Sequence, residues 1–211
     1  MSWSRNGGES RGYHHGNLRE ALMKAALDLI AEKGTAGATF AEAARRAGVS
    51  PAAPYRHFRD RDELLAAVAA EGFERFAKAL QAGWNDGRPT AAEAYERMGR
   101  AYLDFARQHP AEYVAMFESG LPPEAHPVLD QAGQRAFGVL REAADVLVAS
   151  MPAEGRPPAL MVALHTWALA HGVASLFGRS DGSRRKLPMT PEDLLEAAFL
   201  VYLKGLGAPT S

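Results

Sequence analysis

The stretch TFAEAARRAGVSPAAPYRHFRDRDELL, residues 39–65, decides the fold of this chain. Thr39, followed three positions later by Glu42, gives the pattern of a capping box, in which each side chain hydrogen bonds a free backbone N–H at the start of a helix. Gly48 ends that helix after about two turns, because glycine reaches the left-handed conformation that a Cβ disfavours. Ser50 and the proline after it suit the N-cap and first turn of a second short helix. Two short helices joined by a glycine turn are the helix-turn-helix arrangement.

Small and apolar side chains at set positions let these two helices pack together. Ala43, Ala44 and Ala47 allow a close crossing. Val49 fills the inside of the turn, and Phe58 seals its far side. Because the second helix of a helix-turn-helix lies in the major groove of DNA, the stretch predicts a DNA-binding head.

The same stretch resembles the signature of the TetR family of regulators, in which a threonine-capped helix leads into Ala-Gly-Val-Ser and then Tyr-x-His-Phe. The resemblance implies that the tyrosine, the histidine and a basic residue opening the next helix contact phosphates. It also implies that the start and exposed face of the recognition helix meet the bases. Carried onto this sequence, the candidate phosphate contacts are Thr39, Tyr55, His57 and Arg61, and the candidate base-facing residues are Ser50, Pro51, Ala52, Ala53 and Arg56.

Arg56 is the best candidate for reading the DNA sequence, because its guanidinium can form two hydrogen bonds to O6 and N7 of guanine. Two residues depart from the family pattern. Pro54 stands where an apolar residue, often leucine, is common, and Arg61 stands where lysine is common. Since Pro54 lacks a backbone N–H, it can tilt the start of the recognition helix.

Ahead of the first helix, RGYHHGNLREAL (residues 11–22) also resembles the lead-in of one branch of that family. An arm containing Arg5, Arg11, His14 and His15 could reach DNA across the backbone or the minor groove. A disordered basic tail is the equally open alternative.

Apolar residues recur at helical spacing through nearly every long segment, so the sequence predicts an all-α protein of about nine helices. A three-helix DNA-binding domain over residues 1–61 precedes a helical ligand-binding and dimerisation domain over residues 62–211. Helices are expected over 17–34, 39–48, from 50 onward, 60–86, from 90 onward, and over 110–117, 124–151, 157–177 and 191–206.

The stretch HTWALAHGVASLF, residues 165–177, is similar to the Trp-His-Gly signature of one C-terminal branch of the TetR family. That resemblance implies a ligand cavity and a dimer interface in this region. Small residues at 168, 172 and 175 form a strip on one face of the helix, which could admit a symmetric partner helix. With Leu195, Phe199, Tyr202 and Leu206 on the last helix, this strip predicts a four-helix seam between two subunits; packing within one subunit is the alternative.

An apolar cavity with a few polar groups is expected in the body of the protein. Its candidate lining residues are Phe76, Leu80, Trp84, Met98, Tyr102, Phe105, Tyr113, Met116, Phe117, Phe137, Trp167 and His171. An aromatic and methionine stripe at helical spacing is also typical of plain core, and a histidine on an apolar face is also typical of a hydrogen-bonded core residue.

Composition and motifs exclude several other classes of protein. The chain has no cysteine, so it has no disulfides, no thiol nucleophile and no cysteine-bound zinc. No nucleophile elbow, phosphate-binding glycine loop or HExxH pair is present, and His165 and His171 are six positions apart, out of register for a shared metal. An enzyme, a cofactor and a metal are therefore not expected. The polar start and the lack of a long apolar run predict a cytoplasmic protein with no membrane contact.

The distribution of charge agrees with a polyanion partner at one end of the molecule. Residues 1–61 hold ten Lys and Arg against six Asp and Glu, whereas the whole chain has a net charge of −1. The resemblance to the TetR family implies a homodimeric regulator of a palindromic operator. Repression, relieved when a small, largely apolar ligand binds, is the commoner outcome in that family, and activation would use the same parts. A helical small-molecule-binding protein without operator binding is the alternative, and the polar, basic head argues against it.

Overall fold

The computed structural model describes residues 18–178 and 188–207, and every regular element in these ranges is helical, so the all-α prediction is confirmed. The described ranges contain eight α-helices: α1 (Leu18–Gly37), α2 (Phe40–Arg46), α3 (Arg61–Trp84), α4 (Ala91–Gln108), α5 (Pro110–Phe117), α6 (Pro127–Ala149), α7 (Ala159–Gly178) and α8 (Pro191–Gly205). The predicted N-terminal arm with Arg5, Arg11, His14 and His15 lies outside the described residues.

Side-chain caps set where several helices begin. Thr39 Oγ1 accepts a hydrogen bond from the Glu42 N–H at 3.3 Å, and Asp60 Oδ1 accepts one from the Glu63 N–H at 2.8 Å. This bond is the first half of the predicted capping box at Thr39. The second half is not formed, since the Glu42 carboxylate accepts a hydrogen bond from Arg45 Nη2 at 2.8 Å. α2 and α3 therefore begin where the sequence places them.

The predicted α-helix starting at Ser50 is wrong, because that segment forms turns and one short 3-10 turn at Pro54–Arg56. Proline has no backbone N–H, so Pro54 cannot donate the helical hydrogen bond to Ser50 O. The Ser50 carbonyl instead accepts from the Ala53 N–H at 3.0 Å, the tighter pattern of a turn. Pro54 is among the most deeply buried side chains, and its ring fixes this short segment against the head.

Several predicted helix ends are also shifted, and the helix predicted over 124–151 is α6, which begins at Pro127 and ends at Ala149. Gly34 has a φ of 70°, which interrupts α1 at the predicted stop, and the helix then continues to Gly37. α3 ends at Trp84 rather than at Asp86, because Asn85 and Asp86 take positive φ values of 45° and 54°.

Two clusters of buried side chains form the interior. The head cluster joins α1, α2 and the first half of α3, and includes Leu22, Leu29, Ile30, Ala43, Phe58, Leu64, Leu65 and Val68. The body cluster joins the second half of α3 to α4–α8, and includes Phe76, Leu80, Tyr95, Met98, Tyr102, Leu147, Val162, Phe199 and Leu203.

One long helix belongs to both clusters. α3 has 24 residues and spans about 36 Å at about 1.5 Å per residue. α5 and the start of α6 also contact both sides, since Ala115 and Leu129 lie in the head cluster while Met116 lies in the body cluster. The head and the body are therefore packed together through α3, α5 and α6.

Candidate nucleic-acid interface and ligand cavity

The turn between α2 and the 3-10 turn has the expected internal packing. Gly48 has a φ of 70°, which favours glycine, and the Val49 N–H donates to Ala44 O at 3.0 Å. Ala43 and Phe58 are buried, and Val49 is half-buried against the head cluster. Phe58 thus anchors the segment from its inner side.

Polar side chains on the outer side of this segment form an exposed surface, which we call the ridge (residues 50–57). Tyr55 is 66% exposed, and its ring packs edge-on against Phe40 with 5.0 Å between ring centroids. Arg56 is exposed, and within the described part of the chain no carboxylate pairs with it. The remaining predicted DNA contacts on the ridge are exposed at Ser50, Pro51 and Ala52 and half-buried at Ala53 and His57. This arrangement leaves the Tyr55 hydroxyl and the Arg56 guanidinium free to meet a ligand outside the protein.

Most other arginines of the head are already paired with acids. Arg46 donates to both oxygens of Glu32 at 2.7 and 2.6 Å, and this contact holds the pKa of Glu32 below its usual range. Arg59 Nε lies 3.0 Å from Asp60 Oδ2. Among the described arginines of the head, Arg19 and Arg56 have no acid partner, and Arg19 lies over the Phe58 ring at 5.2 Å. Arg56 is therefore the arginine of the ridge that remains available to an outside anion.

Arg61, the predicted phosphate contact at the start of α3, makes bonds within the protein. Its Nε donates to Ala38 O at 3.1 Å, and its Nη2 donates to Thr35 O at 2.5 Å. These bonds tie the start of α3 to the end of α1 and to Ala38 after it, and Nη1 donates to Asp62 Oδ1 at 3.2 Å. Any contact of Arg61 with phosphate would use the donors that these carbonyls leave over.

A cavity of about 470 Å³ lies in the body and is lined by residues of α3–α8 and of the segment between α5 and α6. This volume is in the range of small-molecule sites. Of the predicted lining residues, the structure places eight in the wall: Phe76, Leu80, Met98, Tyr102, Met116, Phe117, Phe137 and Trp167.

Four predicted lining residues lie outside the wall: Trp84, Phe105, Tyr113 and His171. Trp84 packs beyond the cavity, edge-on to Tyr95 at 6.4 Å. Phe105 packs between Phe76 and His109, with centroid distances of 5.1 and 4.8 Å. Helical spacing placed Trp84 and Phe105 on the inward face of α3 and α4, but the cavity does not extend as far as the helical turns that carry them.

Tyr113 and His171 form a layer behind the wall. Their rings stack at 5.7 Å, and His171 Nδ1 lies 2.8 Å from the Tyr113 hydroxyl and 2.9 Å from the Tyr102 hydroxyl. Burial lowers the pKa of His171 and raises the pKa of both tyrosines. Both shifts favour the uncharged forms, and the half-buried His171 orients Tyr102 in the wall through a hydrogen bond.

The sequence did not predict several wall residues, among them Phe73, Tyr95, Thr166 and Phe199. It also missed the polar edge of the cavity, formed by Ser119, Gly120, Asp130 and Gln134. A signal existed for part of this set, because Asp130 and Gln134 precede Phe137 at helical spacing on α6. Within the described residues no group of three His, Asp or Glu is placed to hold a metal ion.

The outward face of α7 and α8 is apolar. Leu160, Leu164, Trp167 and Leu176 are exposed on α7, and Leu200 and Val201 on α8, the last being 74% exposed. The predicted small strip at Ala168, Gly172 and Ser175 lies on this exposed side, and a Cβ at Gly172 would meet no atom within 4 Å. We call this surface the α7–α8 face.

The placement of Leu195 and Phe199 in the seam is wrong. Both are buried in the body cluster, where Phe199 packs on Tyr95 at 6.2 Å and against Gly99. Tyr202 and Leu206 are half-buried, and the Tyr202 hydroxyl lies 3.1 Å from His165 Nδ1. On α8 the outward apolar side chains are Leu200 and Val201.

By length and composition alone, α7 is apolar enough to cross a membrane, with a mean hydropathy of 1.5 over an 18-residue window. Core helices of soluble proteins pass the same test, but only 33% of this window is buried. The helix therefore has apolar surface that the described residues 18–178 and 188–207 leave exposed.

A helix-turn-helix head with an exposed polar ridge, joined by one long helix to a helical body, defines a DNA-binding transcriptional regulator. Residues 22–68 match the family described as bacterial regulatory proteins, tetR family, and residues 95–201 match the tetracyclin repressor-like, C-terminal domain. The chain belongs to the TetR family.

Individual relatives agree with this assignment. A segment of 50 residues is 47% identical to the HTH-type transcriptional regulator BetI of Rhizobium meliloti (strain 1021), and it covers 24% of this chain and 25% of that protein. The match thus spans a quarter of the curated relative's length.

Solved structures share the fold over most of the chain. A protein of unknown function from Rhodococcus sp. RHA1 is 29% identical, with a TM-score of 0.79 over 94% of this chain and 100% of that one. The TetR family transcriptional regulator PfmR from Thermus thermophilus is 22% identical, with a TM-score of 0.66 over 87% of this chain and 97% of that one.

Proposed function

We propose that this regulator is a cytoplasmic repressor that binds a palindromic operator as a homodimer and is released when a small, largely apolar ligand enters the cavity. The observation that carries the proposal is the pairing of an exposed ridge at the head with an aromatic cavity in the body, joined by α3.

At the DNA, Arg56 would read base edges, because it is the exposed guanidinium of the ridge without an acid partner in the described chain. Thr39, Tyr55 and His57 would donate to phosphates on either side and fix the register of the head. Ser50, Pro51, Ala52 and Ala53 would lie against the groove wall, where their small size allows a close approach. Arg61 would contribute chiefly by holding the start of α3 in place, through its bonds to Thr35 and Ala38.

A second copy of the chain would cover the α7–α8 face. Three observations support this occupant: α7 is apolar but one-third buried, the apolar exposure continues onto α8, and the small strip admits close helix contact. A two-fold contact at this face brings two heads together, as a palindromic operator requires. The proposed boundary between DNA-binding and body domains, after residue 61, falls at the start of α3.

Ligand binding would act on the head through α3 and the packing around its middle. Phe73, Phe76 and Leu80 of α3 line the cavity, while Leu65 and Val68 of the same helix lie in the head cluster. Leu129 both lines the cavity and packs in the head cluster. A ligand that favours one tilt of α3 changes the separation of the two ridges, and a coupling of about 1–3 kcal/mol changes operator affinity by one to two orders of magnitude.

The proposal is tested with the full-length protein and the DNA that flanks its own gene, by fluorescence anisotropy at several salt concentrations. We expect sequence-selective binding that weakens steeply with salt, because phosphate contacts release counterions. Tyr55→Phe should weaken binding to all sequences alike. A protein that binds ligands in its cavity but no duplex selectively would support the alternative of a small-molecule-binding protein and refute the repressor.

A further inference from the structure

The wall of the cavity has an uneven charge. Among the described lining residues there is no Lys, Arg or His, and the one carboxylic acid is Asp130 at the polar edge. An anionic ligand would therefore lose its hydration in the cavity without gaining a counter-charge, and this desolvation costs free energy. A neutral or cationic ligand meets no such obstacle.

The tyrosine hydroxyls at the deep end of the cavity already have hydrogen-bond partners within the protein. The Tyr95 hydroxyl lies 2.8 Å from Thr166 Oγ1, which in turn donates to Val162 O at 2.8 Å. The Tyr102 hydroxyl is bonded to His171 Nδ1 at 2.9 Å. Since these hydroxyls are already satisfied, the deep end favours an apolar, preferably aromatic, ligand group.

The edge of the cavity has a carboxylate that pairs with no cationic side chain among the described residues. Asp130 Oδ2 accepts a hydrogen bond from Gln134 Nε2 at 2.7 Å, and no described Lys, Arg or His forms a salt bridge with Asp130. The neighbouring Arg135 is paired with Glu74. Asp130 is half-buried, so a cation beside it keeps part of its hydration while it gains the charge–charge attraction.

Aromatic rings stand close to this carboxylate. The Phe73 ring reaches within 4.0 Å of the Cβ position of Gly133, which lies on α6 beside Asp130 and Gln134. Phe137 and Trp167, 5.6 Å apart, line the wall one to two turns further along. An ammonium group at the edge would thus have a carboxylate and aromatic rings within reach, the combination that recognises organic cations.

We propose that the cavity is selective for cationic amphiphiles, with an aromatic or alkyl body in the deep end and an ammonium group at the edge beside Asp130. The proposal rests on the cavity being the effector site of the proposed function, and it names the class of effector: an organic amine rather than a carboxylate.

The test uses three probes with the same phenylbutyl body: phenylbutylamine, phenylbutanol and phenylbutyrate. Their binding to the full-length protein at neutral pH is measured by isothermal titration calorimetry. We expect the amine to bind about tenfold more tightly than the acid, with the alcohol between them. Asp130→Asn should remove most of this preference and leave alcohol binding unchanged. Asp145→Asn, at an exposed position of α6 outside the cavity, is the matched control and should keep it.

Equal or tighter binding of the acid, an unchanged preference in Asp130→Asn, or no binding of any probe would overturn the inference. Operator release is measured separately by anisotropy. If the amine binds selectively while the protein binds no operator, the repressor proposal fails and the assignment of the ligand class stands.

Discussion

Replacing Arg56 and Arg61 separately by alanine should separate DNA reading from the stability of the head. Arg61 donates to two backbone carbonyls at 3.1 and 2.5 Å, and its side chain is 35% exposed. Hydrogen bonds to charged groups contribute about 1.5–3 kcal/mol each, and partial exposure reduces this. We therefore expect Arg61→Ala to lower the free energy of unfolding by about 2 kcal/mol, or Tm by about 4–8 °C.

Arg56→Ala should have the opposite profile. Its side chain is exposed without an acid partner in the described chain, so the free energy of unfolding should change by less than about 0.5 kcal/mol. Its loss should instead relax preference at one base pair of each half-site, by about 1–3 kcal/mol. Calorimetric unfolding gives the first quantity, and anisotropy with duplexes substituted at each position gives the second.

Two results would refute this reasoning. If Arg61→Ala unfolds at the wild-type temperature, its bonds to Thr35 and Ala38 do not hold the head together. If Arg56→Ala weakens every duplex equally, Arg56 contacts the phosphate backbone and the reading of bases comes from elsewhere on the ridge.

Three further predictions concern the body. Gly83→Ala should destabilise the protein by about 1 kcal/mol, because the added Cβ would lie 3.0 Å from the backbone of α4. Gly138→Ala, whose Cβ would meet no atom within 4 Å, should stabilise the protein by about 0.5–1 kcal/mol. Equal Tm shifts for the two variants would contradict the close approach of α3 and α4. Since burial lowers the pKa of His171 in the folded state, the unfolded state binds the proton more readily, and Tm should fall as the pH drops below about 6.5. His171→Gln should flatten that part of the pH profile, and an unchanged profile would argue against a neutral imidazole in the folded state. Val201→Glu should dissociate the dimer in sedimentation velocity, while Val128→Glu, at a comparably exposed site, should not; dissociation by both or by neither would argue against the α7–α8 face.

Local signals determined most of the helix boundaries correctly. Thr39, Asp60 and Thr90 cap α2, α3 and α4 as their side chains predict, and Pro110 begins α5. The predicted helix from Ser50 does not form, because the missing backbone N–H of Pro54 outweighs the capping signal at Ser50.

The sites were harder to predict than the helices. A helical projection identifies apolar faces, but it does not say whether a face meets the core, a cavity or a second copy. The projection of α8 therefore predicts Phe199 in the seam, whereas the structure buries it in the body, where it is 3% exposed. The cavity edge at Asp130 depends on how α6 meets the segment after α5, which no local pattern encodes. The ridge was easier, because the resemblance to the TetR signature implies that Tyr55 and Arg56 face outward.

Selection of duplexes from a random library by the full-length protein, followed by measurement of the mass of the complex with the selected sequence, tests the regulator most directly. Our account predicts a palindrome with half-sites about one helical turn apart or a multiple of that, bound by an even number of chains, and no enrichment of it by a variant lacking Tyr55 and Arg56 side chains. Enrichment of no sequence, or the same enrichment by that variant, would contradict the account.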